Sequence, residues 1–151
     1  MKSKSVFRVL FVLTLALTFF LSTTGSATKA PPRDFRAEAK TYIGYYNTIK
    51  LKPEQEGIKN AALTKIPAPC CSDNSIATCC CPCNLAKAVC GLSAHLIVEK
   101  GYDAKRLEKA VREWLAASNP NGSSGKTCYT GGCGRSFHQD GCGGMIESHV
   151  F

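Results

Sequence analysis

Past its first 27 residues, this 151-residue chain has no apolar run long enough to cross a bilayer. The remainder is therefore expected to be soluble, with no membrane span. It also lacks a C-x-x-C-H haem-attachment signal, a Gly-rich phosphate loop and an H-E-x-x-H pair. Those absences remove c-type haem attachment, P-loop nucleotide chemistry and zincin-type hydrolysis from consideration. There is no βαβ alternation, which argues against a thioredoxin-like fold, and no internal repeat. Acidic residues are in the minority, 11 against 19 Lys and Arg. The basic residues are interspersed with acids, so they read as solvated helix faces and not as a nucleic-acid surface.

The N-terminus has the order of an export signal. Lys2, Lys4 and Arg8 make a basic region, Val9 to Leu21 is apolar apart from two threonines, and Gly25 and Ala27 are the small residues a signal peptidase reads. Cleavage is expected after Ala27, which places the rest in the periplasm or outside the cell. No cysteine follows the apolar run closely, so a lipidated N-terminus is not expected. Losing the signal takes away three positive charges and leaves about +5 of the formal +8.

What the chain does have is cysteine. All ten cysteines follow Ala27, and seven of them lie in the 22 residues from Pro69 to Cys90, as PCCSDNSIATCCCPCNLAKAVC. Exported small domains commonly use cysteine for disulfides. Neighbours such as Cys70 and Cys71, or members of the Cys79–Cys81 triplet, are poorly placed to bond to each other. Adjacent Cα atoms lie about 3.8 Å apart, and an unstrained disulfide wants about 4.4–6.8 Å. These thiols must reach other segments, bind a metal or stay reactive.

Cys80-Cys81-Pro82-Cys83 is a C-x-x-C at an expected helix start. A helix N-terminus favours the thiolate, and a C-x-x-C can close reversibly. The same region offers a metal reading. At 100° per residue Cys79, Cys83 and Cys90 fall within about 40° of one helix face, a stripe suited to Cu(I) or Zn(II). His95 falls about 140° away and reads as a packing or surface residue. A second constellation, Cys128, Cys133, His138 and Cys142, has the order C-x4-C-x4-H-x3-C among glycines. It resembles a zinc knuckle, and disulfides are its other reading. His149 reads as exposed.

Four helices are expected. Asp34 caps the first, from Phe35 to about Lys50, with Phe35, Ala39, Tyr42, Ile43, Tyr46 and Ile49 on one face. Pro53 opens the second, which ends near Lys65 before Pro67 and Pro69. The third runs from about Pro82 to Glu99, with Gly101 at its end. Asp103 caps the fourth, Ala104 to Ala117, which buries Leu107, Ala110, Val111, Trp114 and Leu115, with Trp114 against the cysteine helix. Glu108 and Arg112 form an i,i+4 pair.

Cys71-Ser-Asp-Asn-Ser-Ile-Ala-Thr78, Pro82, Leu85-Ala86-Lys87 and the Leu96-Ile-Val-Glu-Lys-Gly-Tyr-Asp103 turn resemble the helical domain of periplasmic cytochrome c maturation thiol-reductases over about Cys70–Leu115. The resemblance implies a three-helix bundle that reduces apocytochrome thiols, with Cys71 at the second active-site cysteine. Ala68 stands at the first, and Cys79, Cys80, Cys81, Cys83 and Cys90 have no counterpart. The proline–cysteine spacing also resembles small exported proteins named for such motifs.

The expected architecture is all-α: a small bundle of about four helices with an irregular Cys/Gly-rich C-terminal segment. The divisions are a signal at 1–27, an N-terminal helical segment at 28–66, a cysteine-rich helical hairpin at 67–118 and a Gly/Cys-rich segment at 119–151. The leading function is thiol–disulfide redox or maturation chemistry in the cell envelope. Cys80 and Cys83 are the exchanging pair, and Cys70 and Cys71 the resolving thiols. The alternative is Cu(I) or Zn(II) binding by Cys79, Cys83 and Cys90 or by Cys128, Cys133, His138 and Cys142. The third is a disulfide-stapled structural protein. The partner is a thiol-containing protein or a soft metal ion.

Overall fold

The computed structural model describes residues 33–78, 83–119, 134–136, 139 and 141–146, all within the unit Arg33–Phe151. The signal segment, Cys79, Cys80, Cys81, Cys128, Cys133, His138 and His149 lie outside the described residues. Among them are four helices: α1 (Phe35–Thr48), α2 (Pro53–Leu63), α3 (Asn84–Lys100) and α4 (Ala104–Ser118). A two-stranded hairpin, β1 (Pro67–Ala68) and β2 (Cys71–Ser75), sits between α2 and α3.

The helix ends follow local chemistry. The Asp34 carboxylate accepts the Arg36 and Ala37 N–H groups at 3.0 and 3.1 Å, satisfying two of the donors that open α1. Pro53 begins α2, where the Lys52 N–H donates to the Gln55 side chain at 2.9 Å. Gly101 closes α3 in the left-handed region, φ 61°, a conformation open to glycine without the Cβ penalty. Asp103 accepts the Arg106 N–H at 2.8 Å to start α4. The Glu108–Arg112 pair forms at 3.0 Å, and Arg112 also donates to the Lys65 carbonyl at 2.6 Å, tying α4 to the end of α2.

The central helix is α3. Leu85, Ala88, Val89, Leu92, Ala94 and Ile97 are all buried along it. It packs tightly on α1 at Gly91, where a Cβ would run into the Tyr42 carbonyl and the Tyr46 backbone nitrogen of α1. On α1 Ala39 and Ile43 are buried, and Phe35 and Tyr42 pack partly against the core. Tyr46 departs from the expected apolar stripe: it is 42% exposed, its hydroxyl-bearing ring held near water. Trp114 is buried as expected, and its ring meets α1: it stands edge-on to Tyr42 at 5.6 Å and donates its indole N–H to Glu38 at 2.9 Å. On α4 Leu107 and Val111 are buried, whereas Ala110 and Leu115 are only partly so. His95 stacks on Tyr45, ring centroids 4.6 Å apart.

The hairpin is the element that the sequence pattern did not announce. Cys-Ser-Asp-Asn-Ser is poor strand sequence, yet it pairs antiparallel with Pro67 and Ala68 through a two-residue turn at Pro69 and Cys70. The reason is burial. Ile66, Ala68, Cys70, Cys71 and Ile76 all point inward, and the Ile76 N–H closes on the Ile66 carbonyl at 2.8 Å.

Candidate thiol site

Three cysteines from three segments meet at the start of α3. Cys70 comes from the hairpin turn, Cys83 is the N-cap residue of α3, and Cys142 comes from the C-terminal segment. Each is at most 2% exposed. The Cys83 sulfur accepts hydrogen bonds from the Cys142 and Cys70 thiols. These two donors, Cys142 foremost, hold the Cys83 thiol far below its ordinary pKa of 9.0. Burial opposes ionisation, but the Ala86 and Leu85 N–H groups of the first turn add to the donors. They act on the sulfur without closing a side-chain cap bond. A thiolate at a helix start, in contact with two thiols, is a nucleophile with a disulfide partner already beside it.

The C-terminal segment is held there by its backbone. The Asn84 N–H donates to the Gly144 carbonyl at 2.8 Å and the Leu85 N–H to the Cys142 carbonyl at 3.1 Å. Both are N–H groups that the first turn of a helix leaves without an intrahelical partner. The Asn84 side chain, itself fully buried, donates to the Gly143 carbonyl at 2.7 Å and the Ile146 carbonyl at 3.0 Å. Gly143 and Gly144 have φ of 70° and 72°, and the Gly143 N–H returns to the Arg135 carbonyl at 2.9 Å. Positive φ at two successive residues turns the chain sharply enough to present these carbonyls to one side chain.

The structure thus joins residues from both sequence-derived sets. Cys83 and Cys70, expected in exchange, stand with Cys142, expected as a metal ligand. Cys71 is buried beside them in sequence, but its sulfur takes the Asn74 amide N–H at 3.4 Å. Cys90 faces other surroundings: a cavity of about 370 Å³ lined also by Tyr46, Ile49, Glu56, Lys59 and Ala94. Burial pushes the Cys90 thiol upward, the opposite direction to Cys83. Among the described residues, no three His, Cys, Asp or Glu side chains are set to hold a metal ion. Asn84 is the functional candidate that sequence reasoning missed. A polar residue directly after a C-x-P-C was the available signal, and nothing local says that its partners lie 59 and 62 residues away. Compared with family models, with curated proteins and with solved structures, the chain finds no match.

Proposed function

We propose that this is an exported thiol protein that carries out thiol–disulfide exchange, with Cys83 as the nucleophile and Cys142 and Cys70 as its resolving thiols. The reading rests on one observation: a buried Cys83 at the start of α3, its sulfur hydrogen-bonded by two other cysteines. The partner is a thiol- or disulfide-bearing protein in the cell envelope, in keeping with the signal-like N-terminus and with the resemblance to maturation thiol-reductases. Cys80, the other half of the C-x-P-C, lies outside the described residues and enters as a further exchange partner. No helix among the described residues is long and apolar enough to cross a membrane.

A second reading draws on the same convergence. Cys83 and Cys142 would each give a soft ion such as Cu(I) or Zn(II) one sulfur ligand, the remaining ligands coming from Cys or His residues outside the described ones. One experiment separates the readings: thiol titration of native and denatured protein with metal analysis, followed by limited alkylation at pH 6–7 and peptide mapping. Exchange requires titratable thiols, no stoichiometric metal, and Cys83 labelled well ahead of Cys90. Stoichiometric metal that blocks Cys83 labelling would move the assignment to ion binding. Ten cysteines without a single titratable thiol, even after mild reduction, would leave only disulfide staples.

A further inference from the structure

The site contains a choice that its three thiols do not make by themselves. Cys83 can close on Cys142 or on Cys70, and the two candidates are anchored differently. Cys70 sits in a two-residue hairpin turn whose position is set by β1–β2 pairing. Cys142 belongs to a segment without helix or strand, and its place against α3 depends on hydrogen bonds to the first residues of that helix.

Asn84 supplies most of that anchorage. Its main-chain N–H holds the Gly144 carbonyl, and its side chain holds the Gly143 and Ile146 carbonyls. The side chain is fully buried, and its carbonyl oxygen has no hydrogen-bond partner among the described residues. An orphaned buried acceptor is destabilising, whereas an apolar side chain of similar shape would avoid it. A position serving the core alone would be better filled by such a side chain. The amide is accounted for by what its N–H groups hold: the carbonyl of Gly143, which opens the sharp turn after Cys142, and that of Ile146 beyond it.

We propose that Asn84 is a positioning residue that selects the disulfide partner of Cys83, holding the Cys142–Ile146 segment on the start of α3 so that Cys142, and not Cys70, closes the bond. The proposal rests on the exchange reading above. In the reaction the Cys83 thiolate attacks one sulfur of a small organic disulfide, forming a mixed disulfide and releasing one thiolate. Cys142 then loses its proton, attacks the Cys83 sulfur and expels the second thiolate, which is protonated in turn. Two electrons pass from the protein thiols to the small disulfide. The products are one Cys83–Cys142 bond, one small thiol carrying the proton from Cys142, and one small thiolate that takes its proton from water. Cys83 is buried, so the small disulfide reaches it only when the site opens.

The test oxidises the fully reduced chain in a glutathione buffer, traps it with acid and alkylation, and maps the disulfides. In parallel, a diazenedicarboxamide oxidises the same protein directly, taking two electrons and two protons from a thiol pair without thiol exchange. Wild type is expected to give chiefly Cys83–Cys142 by both routes. In Asn84→Ala the ratio of Cys83–Cys142 to Cys83–Cys70 should fall about tenfold, the scale expected for losing two neutral hydrogen bonds. Gly144→Ala, which strains the positive-φ turn without touching the amide, should move the ratio the same way. A purely structural Asn84 would lower the melting temperature and leave the ratio unchanged, and that result overturns the proposal. So does a wild-type map in which Cys83 pairs mainly with any cysteine other than Cys142. If glutathione fails to oxidise Cys83 while the direct oxidant still shows the Asn84-dependent ratio, the exchange reading falls and the positioning role stands.

Discussion

Cys83 and Cys90, at the N-cap and in the interior of the same helix α3, acquire opposite chemistry. Cys83 has donors on its sulfur, so folding favours its thiolate; Cys90 has burial without comparable donors, so folding favours its thiol. The consequence for stability has a definite sign. A thiol whose folded pKa is depressed contributes its full stabilisation above the unfolded value, near 9.0 here, and loses it progressively as pH falls toward the folded value. Cys83→Ser should therefore lower stability by about 1.5–3 kcal/mol at pH 8, the range for hydrogen bonds to a charged group. The gap from wild type should narrow steadily as denaturant midpoints are measured down to pH 5. A gap independent of pH would mean that Cys83 is not held as a thiolate in the fold.

Among the helices, the α1–α3 contact depends on the absence of a side chain at Gly91. The obstacle to a Cβ there is the backbone of α1 at Tyr42 and Tyr46, which cannot swing aside as a long side chain would. Gly91→Ala should therefore cost about 1–3 kcal/mol through forced separation of the two helices. Gly44, on the exposed face of α1, has open space around its Cβ position. Gly44→Ala should raise stability by about 0.5–1 kcal/mol, because alanine loses less conformational freedom in a helix. Chemical denaturation of both variants checks the pair, and Gly91→Ala matching or exceeding wild type would contradict the close packing. The helices themselves were legible before any coordinates. Asp34, Pro53, Gly101 and Asp103 mark ends by interactions that span only a turn, and a turn is within the reach of a sequence pattern. The hairpin was not legible, because Cys71–Ser75 is extended by the burial of its neighbours Ile66 and Ile76 and not by its own composition.

Across the whole molecule, Trp114 joins the last helix to the first. Its indole N–H reaches Glu38, which Arg33 also grips at 2.8 and 2.6 Å. Trp114→Ala should cost about 3–5 kcal/mol in a thermal or denaturant melt, and a shift of only a degree or two would show that α4 contributes little to the core. The Arg33 hydrogen bond is the main reason that the Glu38 carboxyl is held below the usual carboxylate range. This link therefore weakens as pH falls through that depressed value. At this scale the sequence by itself determined a helical, cysteine-rich chain with four well-bounded helices, because caps, prolines and apolar periodicity act between near neighbours. Only the tertiary structure decided which cysteines meet. Cys83 faces Cys142 because the opening N–H groups of α3 need acceptors, and the carbonyls of Cys142 and Gly144 supply them. That pairing crosses 59 residues of chain, a separation over which local sequence carries no register and burial and hydrogen-bond satisfaction do.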